Sequence, residues 1–231
     1  MSTISDVAEQ LYEMLHGKKK DDLILEVTMN YNLQNRVAIA QYYKATHEVS
    51  LFDDIKSKIG GDFGYCAAQM FLSPLEFCIW HLKLGLKKGN ETVMEMLTSK
   101  TVDELKIIEE AYKKDTGKDL KTDITKAFSG VIGKNLLNLF DNPRINNPKP
   151  NPTECQDLAV KVSEQEPKNW VENENIFRDI FIKRSPEELI LIARYYLKLT
   201  GNNLIDIIEK KLKGKNPSLR PCRVRILKPK I

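Results

Sequence analysis

The sequence has no long uncharged hydrophobic run and no basic leader. None of its apolar stretches approaches the roughly 18 residues that a membrane-spanning helix needs, so we expect any membrane contact to be peripheral. The first residues, Met-Ser-Thr-Ile-Ser-Asp, lack a basic segment followed by an apolar one. They also lack glycine after Met1, so neither a secretory signal nor N-myristoylation is predicted.

Closely spaced cysteines and clustered histidines are missing too. The cysteines are widely separated and form no C-x-x-C pair: Cys66, Cys78, Cys155 and Cys222. With only three scattered histidines beside them, a structural zinc site is not expected. The interpretation is that the thiols are reduced in a cytosolic protein. The net charge of +4 is small, so the distribution of charge matters more than its total.

The sequence also lacks the signatures of catalysis and of nucleic-acid binding. Asp62-Phe63-Gly64 spells the magnesium triplet of kinases, but no H-R-D, V-A-I-K or glycine-rich loop accompanies it. There is no G-x-S-x-G, no Walker loop, and no aromatic platform interleaved with basic residues. We therefore expect neither an enzyme nor a nucleic-acid-binding protein.

What the sequence does contain is a threefold internal similarity, in which three landmarks share each offset. The pairs separated by 69 residues are Tyr43–Tyr112, Asp54–Asp123 and Gly61–Gly130. The pairs separated by 84 residues are Tyr112–Tyr196, Gly117–Gly201 and Gly130–Gly214. The additional residues of the second offset fall in a proline-rich linker that begins at Asn142.

Local signals within each similar segment are helical. One apolar stripe at helical spacing consists of Leu189, Ile192, Ala193, Tyr196 and Leu197. Ser185, Pro186 and Glu188 predict a capping box with proline at the first helical position, and Thr101 with Glu104 predicts a second box. Gly117 and Gly201 suit the left-handed cap at a helix end. The pattern predicts an all-α chain of about 14 helices.

A unit of about 70 residues, with a capped third helix that carries Tyr-Lys near its end and Gly-x-x-Leu after it, resembles the annexin repeat. The resemblance covers roughly residues 5–214 and is strongest to the divergent protist alpha-giardins. It implies annexin-type stacked five-helix repeats that form a curved disc, with three units present and the third incomplete. The first helix of each unit, helix A, is expected at 5–15, 74–86 and 154–164. The second, helix B, is expected at 21–29, 90–98 and 173–183.

The corresponding division of the chain has five parts. They are repeat 1 at 5–73, repeat 2 at 74–141, a proline-rich linker at 142–153, an incomplete repeat 3 at 154–214, and a basic tail at 215–231. An annexin core has four units, so one further interpretation is a truncated product. Its uncovered apolar face would favour poor solubility or self-association.

The annexin resemblance also implies Ca²⁺ as a cofactor. In that family a Gly-x-Gly-Thr loop between helices A and B, and a carboxylate about 40 residues later, supply hard oxygen ligands. The three loops here read His16-Gly-Lys-Lys-Lys-Asp21, Gly85-Leu-Lys-Lys-Gly-Asn90 and Asn169-Trp-Val-Glu-Asn-Glu174. The positions of the acid hold Lys58, Ala127 and Lys211. We therefore expect no high-affinity calcium site in these loops. Glu172 and Glu174 are left as candidates for a weaker, carboxylate-only site.

Lysines occupy these loops or flank them: Lys18, Lys19, Lys20, Lys87, Lys88 and Lys168. Each contributes about 1 kcal/mol near an anionic surface, so our hypothesis is that lysine replaces the metal in bridging to lipid phosphates. The alternative is that these are ordinary solvated loop charges. Trp170 suits either the lipid interface or packing against its own unit, and Trp80 is expected in the core.

Two functions follow. The first is a cytoplasmic, peripheral phospholipid-binding protein of the annexin kind, calcium-dependent by family, that links anionic membrane to the cytoskeleton. The alternative is a cytoskeletal or microtubule-associated scaffold without calcium-dependent lipid binding. The second interpretation depends on the tail, since 213–231 holds seven basic and no acidic residues and would attract acidic tubulin tails.

Overall fold

Helices in this chain begin and end at residues that the sequence predicted as caps, such as Thr101, Gly117 and Ser185. A computed structural model describes residues 3–17, 22–142, 149–165, 179–180, 183–204 and 206–207, and these contain twelve α-helices and no strand. The chain divides into two compact units, residues 1–78 and 79–231. No helix in the described part of the chain is both long and apolar enough to cross a membrane.

The first unit contains five helices in succession. They are α1 Ile4–His16, α2 Leu23–Asn30, α3 Leu33–His47, α4 Leu51–Lys58 and α5 Gly61–Gln69. Thr3 and Asp6 form a capping box at the start of α1, and the Asn32 and Ser50 side chains cap α3 and α4. Helix α1 packs against α3, and α4 packs against α5.

A second set of five helices follows the same order, and two more helices come after it within the ranges that the structure describes. They are α6 Pro74–Lys88, α7 Glu91–Thr98, α8 Val102–Thr116, α9 Leu120–Ala127, α10 Gly130–Asp141, α11 Pro152–Ser163 and α12 Pro186–Thr200. Helix α10 packs against α7, α8 and α9, and α11 packs against α12. The core between α11 and α12 includes Cys155, Val162, Ile192 and Tyr196.

The helices predicted from periodicity and caps are confirmed wherever the structure describes them. Thr101 with Glu104, and Ser185 with Glu188, form complete capping boxes. Gly117 ends α8 in the left-handed conformation with φ 70°. The expected A helices lie within two residues of the observed α1, α6 and α11. The third expected B helix, 173–183, falls mostly outside the described residues.

The expectation that Trp80 lies in the core is wrong. Its side chain is half-buried, whereas Cys78, Ile79 and Leu82 of α6 are buried. Successive helical residues differ by about 100° in direction, so Trp80 is turned away from the buried side of α6. Its ring lies edge-on to that of His81, with 4.9 Å between the ring centroids.

Candidate functional site

Each of the two five-helix sets carries one tyrosine–aspartate hydrogen bond between its third and fourth helices. The Tyr43 hydroxyl donates to Asp54 Oδ2 at 2.6 Å, and the Tyr112 hydroxyl donates to Asp123 Oδ2 at 3.0 Å. Burial and the neighbouring carboxylate raise the pKa of Tyr43, and the same two causes raise the pKa of Tyr112 to about 12. These residues were repeat landmarks in the sequence, but spacing alone did not predict their contact.

The loop that joins α6 to α7 lies beside the end of α9. Gly89 has φ 58°, and a Cβ added to it would lie 3.2 Å from the carbonyl oxygen of Ala127. A side chain at position 89 would therefore be strained and crowded. Asn90 ends the loop, and its side chain accepts a hydrogen bond from the Thr92 backbone N–H to cap α7. The structure thus places Ala127 next to the loop, at the expected position of the acid.

A cavity of about 680 Å³ opens between this loop and helices α6, α8 and α9. Its walls are lined by Lys83, Leu86, Lys87, Lys88, Gly89, Tyr112, Asp115, Thr116, Lys118, Asp123, Lys126 and Ala127. Five of these residues are lysines and two are aspartates, so the formal charge of the lining is positive by three. The charge and volume of this cavity suit an anion rather than a cation.

Among the residues that the structure describes, two of the five cavity lysines have an ion-pair partner. Lys83 Nζ lies 2.7 Å from Asp115 Oδ2, and Lys126 Nζ lies 3.8 Å from Asp123 Oδ1. The other three form no ion pair with any residue that the structure describes: Lys87, Lys88 and Lys118. All three are exposed, so their charges are free to meet an incoming anion.

Calcium does not fit the residues of this loop. A calcium site needs several hard oxygen ligands with at least one carboxylate, and Ala127 offers only its backbone carbonyl. The ammonium groups of Lys87, Lys88 and Lys126 line the same cavity and would repel the ion. In the first set the acid position is the exposed Lys58, at the end of α4. Across the described ranges, no three His, Cys, Asp or Glu side chains are grouped as a metal site.

In the first set, aromatic rings occupy the neighbourhood of the tyrosine–aspartate pair. His47, 69 residues before Thr116, stacks on Tyr12 with 3.7 Å between ring centroids and an interplanar angle of 7°. His16 also stacks on Tyr12, and its Nε2 lies 3.6 Å from Asp54 Oδ2. The corresponding residue of the second set, Thr116, is small and leaves the space open.

Of the predicted lipid-binding residues, the structure describes only Lys87 and Lys88, and it brings both to the cavity. The others lie outside the described residues: Lys18, Lys19, Lys20, Lys168 and Trp170, together with the candidate metal ligands Glu172 and Glu174. Sequence reasoning missed Lys83, Lys118 and Lys126. For two of them the available signal was a position close to a repeat landmark: Lys118 comes directly after Gly117, and Lys126 comes three residues after Asp123.

Comparison with known proteins identifies the family. The family model "Annexin" matches residues 6–67 and 82–139, which together make up more than half of the chain. Human annexin A3 is 27% identical over 212 residues, covering 90% of this chain. The chain spans 65% of the length of that relative.

Solved structures share the fold. The structure of annexin III superposes with a TM-score of 0.82 at 25% identity, covering 97% of this chain and 70% of that one. A calcium-bound alpha-1 giardin superposes with a TM-score of 0.68 at 18% identity, covering 98% of this chain and 76% of that one. The expected all-α fold of annexin-type repeats is confirmed, and alpha-giardins are among the proteins that have it. The chain belongs to the annexin family.

Proposed function

We propose that this chain is a peripheral phospholipid-binding protein that holds anionic headgroups mainly through loop lysines rather than through tightly bound calcium. The observation that carries the proposal is the pair Lys87 and Lys88, which line one cavity with Ala127, the residue at the position of the family's metal-binding carboxylate. Neither lysine has an ion-pair partner in the described part of the chain. Calcium-dependent binding to phospholipid is the family's activity. We infer that this member uses the same loops to bind phospholipid, and that lysine ammonium groups take the place of the calcium ion.

The number of lysines makes the proposal energetically reasonable. Each lysine near an anionic surface contributes about 1 kcal/mol, and phosphate oxygens accept charge-assisted hydrogen bonds from ammonium groups. We include the other loop lysines, Lys18, Lys19, Lys20 and Lys168, in the proposed lipid-binding set on the strength of their sequence positions. Trp170 adds an interfacial anchor, and Glu172 with Glu174 provide any weak calcium response.

A second candidate function is a cytoplasmic scaffold that binds microtubules or another filament, alone or as the link between filament and membrane. The observation that favours it is the tail 215–231, which is basic and free of acidic residues. We expect such a tail to bind acidic tubulin tails electrostatically. Microtubule co-sedimentation of the chain and of a variant lacking 215–231 tests this role, and equal binding by both contradicts it.

Sedimentation with phosphatidylserine vesicles in EDTA at low salt tests the lipid proposal. We expect the unmodified chain to pellet, and the double variant Lys87→Gln/Lys88→Gln to bind about 30-fold more weakly. The matched control removes the same charge from α8 outside the cavity, as Lys113→Gln/Lys114→Gln, and should lose much less binding. Failure of the unmodified chain to pellet contradicts the proposal.

A further inference from the structure

We propose that the cavity between α6, α8 and α9 is a pocket for a small, multiply phosphorylated ligand. The proposal rests on the lipid-binding function above and names the headgroup class that this site selects. The same chemistry is carried by a polyphosphoinositide headgroup in a membrane and by a free inositol polyphosphate. Three features of the pocket support it: its volume, its charge and the exchangeability of its ion pairs.

The volume exceeds what a single phosphate needs. Pockets of about 300–1,000 Å³ hold ligands of drug size, and this cavity has about 680 Å³. A phosphatidylserine headgroup is smaller and would meet the surface at the loop lysines alone. The pocket extends beyond that loop to Lys118, at the end of α8, and to Lys126 on α9. A ring that carries several phosphates would contact both of these lysines and Lys87 together.

The charge of the pocket matches a polyanion. Its five lysines and two aspartates leave a formal excess of three positive charges. A headgroup with one net negative charge satisfies only part of that excess, whereas a ligand with two or more phosphates neutralises it. Phosphate oxygens also suit the compact ammonium of lysine, which offers three donors in any direction.

The ion pairs already present in the pocket are weak enough to be exchanged. Lys83 and Asp115 are separated by 2.7 Å, but their side chains are 41% and 48% exposed. Exposed pairs of this kind contribute little stability, so a phosphate can displace Asp115 from Lys83 at low cost. Lys126 lies 3.8 Å from Asp123, whose other oxygen accepts the Tyr112 hydroxyl. Asp123 therefore keeps a partner when Lys126 turns to a ligand.

Thr116 keeps the pocket open. Its hydroxyl donates to the Tyr112 carbonyl and accepts from the Lys118 backbone N–H at 3.1 Å, which fixes the turn that carries Lys118. In the first set the same position is His47, whose ring stacks on Tyr12. A larger side chain at 116 would occupy volume in the pocket and would leave the charges of the loop lysines Lys87 and Lys88 in place. This provides a substitution that separates pocket binding from surface binding.

Two measurements on the full chain test the inference. The first is calorimetric titration with soluble inositol hexakisphosphate. The second compares vesicles that contain phosphatidylinositol 4,5-bisphosphate with phosphatidylserine vesicles of equal total charge, both in EDTA. We expect the unmodified chain to bind the soluble ligand and to prefer the bisphosphate vesicles by about tenfold.

The variants assign that preference to the pocket. Lys118→Gln/Lys126→Gln should bind the soluble ligand about 30-fold more weakly, whereas the charge-matched Lys113→Gln/Lys114→Gln should retain most of the affinity. Thr116→His should lower affinity for the soluble ligand and leave phosphatidylserine binding within about twofold. If Thr116→His proves unstable in thermal unfolding, the two lysine variants decide alone.

Each outcome separates the pocket from the general function. Equal binding to both vesicle types together with no binding of the soluble ligand overturns the pocket and leaves the lipid proposal intact. If the unmodified chain binds neither type of vesicle, the lipid proposal is overturned instead. Binding of the soluble ligand without a vesicle preference supports the pocket and assigns it to a free ligand. If Lys118→Gln/Lys126→Gln and the charge-matched Lys113→Gln/Lys114→Gln lose equal affinity for the soluble ligand, the assignment of its binding to this cavity is overturned.

Discussion

The Tyr112 hydroxyl lies 3.0 Å from Asp123 Oδ2 and donates a hydrogen bond that ties α8 to α9. The same relationship occurs 69 residues earlier, between Tyr43 and Asp54 at 2.6 Å. In both sets the bond fixes the third helix to the fourth. In the second set it also forms one wall of the lysine-lined cavity, so repeat architecture and candidate site share this contact.

Stability should fall at alkaline pH because of these tyrosines. The pKa of Tyr112 is raised from 10.0 to about 12, so the unfolded chain releases this proton first as the pH rises. The contribution is complete below pH 10 and is lost between about pH 10 and pH 12. Urea unfolding at a series of pH values measures it. Tyr112→Phe should reduce the alkaline loss, and an unchanged pH dependence in that variant would be inconsistent with the shift.

Arg36 should be important for the first unit. Its guanidinium donates to the carbonyls of Thr28 and Tyr31 at the end of α2, and to the Met70 carbonyl at 2.8 Å, just after α5. Arg36→Met leaves these carbonyls without a charged donor. We expect it to lower the free energy of unfolding by about 2 kcal/mol, measured by urea denaturation. The exposed Arg194 provides a control, because Arg194→Met should change stability by less than about 0.5 kcal/mol.

A buried ionic network should stabilise α12. Glu188 is 1% exposed, accepts the Ser185 backbone N–H at 2.9 Å, and faces Arg184, which also pairs with Glu154 at 2.7 Å. Burial alone would lower the pKa of Arg184, but its hydrogen bonds and charge interactions with Glu154 and Glu188 together outweigh burial and raise it.

Removing the cation leaves the buried Glu188 carboxylate with its Ser185 hydrogen bond but without a charged partner. Arg184→Met should therefore cost about 3 kcal/mol in thermal or urea unfolding. The adjacent Lys183, which pairs with Asp179 at 3.1 Å in a more exposed position, is the comparison. Lys183→Met should cost less than about 1 kcal/mol. Equal effects of the two substitutions would show that the buried network adds nothing beyond surface charge.

The thiols should differ in reactivity. Cys66 is exposed, whereas Cys78 and Cys155 are 3% and 1% exposed. Burial and the charges of Glu188 and Glu154 raise the pKa of Cys155, which lowers its thiolate fraction further. Iodoacetamide labelling of the native chain followed by peptide mass spectrometry should modify Cys66 well before these two. Modification of Cys155 at the same rate as Cys66 would contradict the packing of α11 on α12.

The repeats and helix ends were predictable because they depend on local chemistry. Capping residues such as Ser185 and left-handed glycines such as Gly117 act within a few residues of themselves, so spacing reveals them. The cavity was not predictable, since Lys83, Lys118 and Lys126 come from three separate elements. Spacing gave no information about which of these lysines an aspartate would neutralise.

The most direct test of lysine in place of calcium is calorimetric titration of phosphatidylserine vesicles into the unmodified chain, in EDTA and in millimolar Ca²⁺. If loop lysines hold the headgroups, the dissociation constants in the two buffers should agree within about threefold, and both should weaken as salt is raised. Binding that is absent in EDTA and appears only with calcium would contradict the central claim.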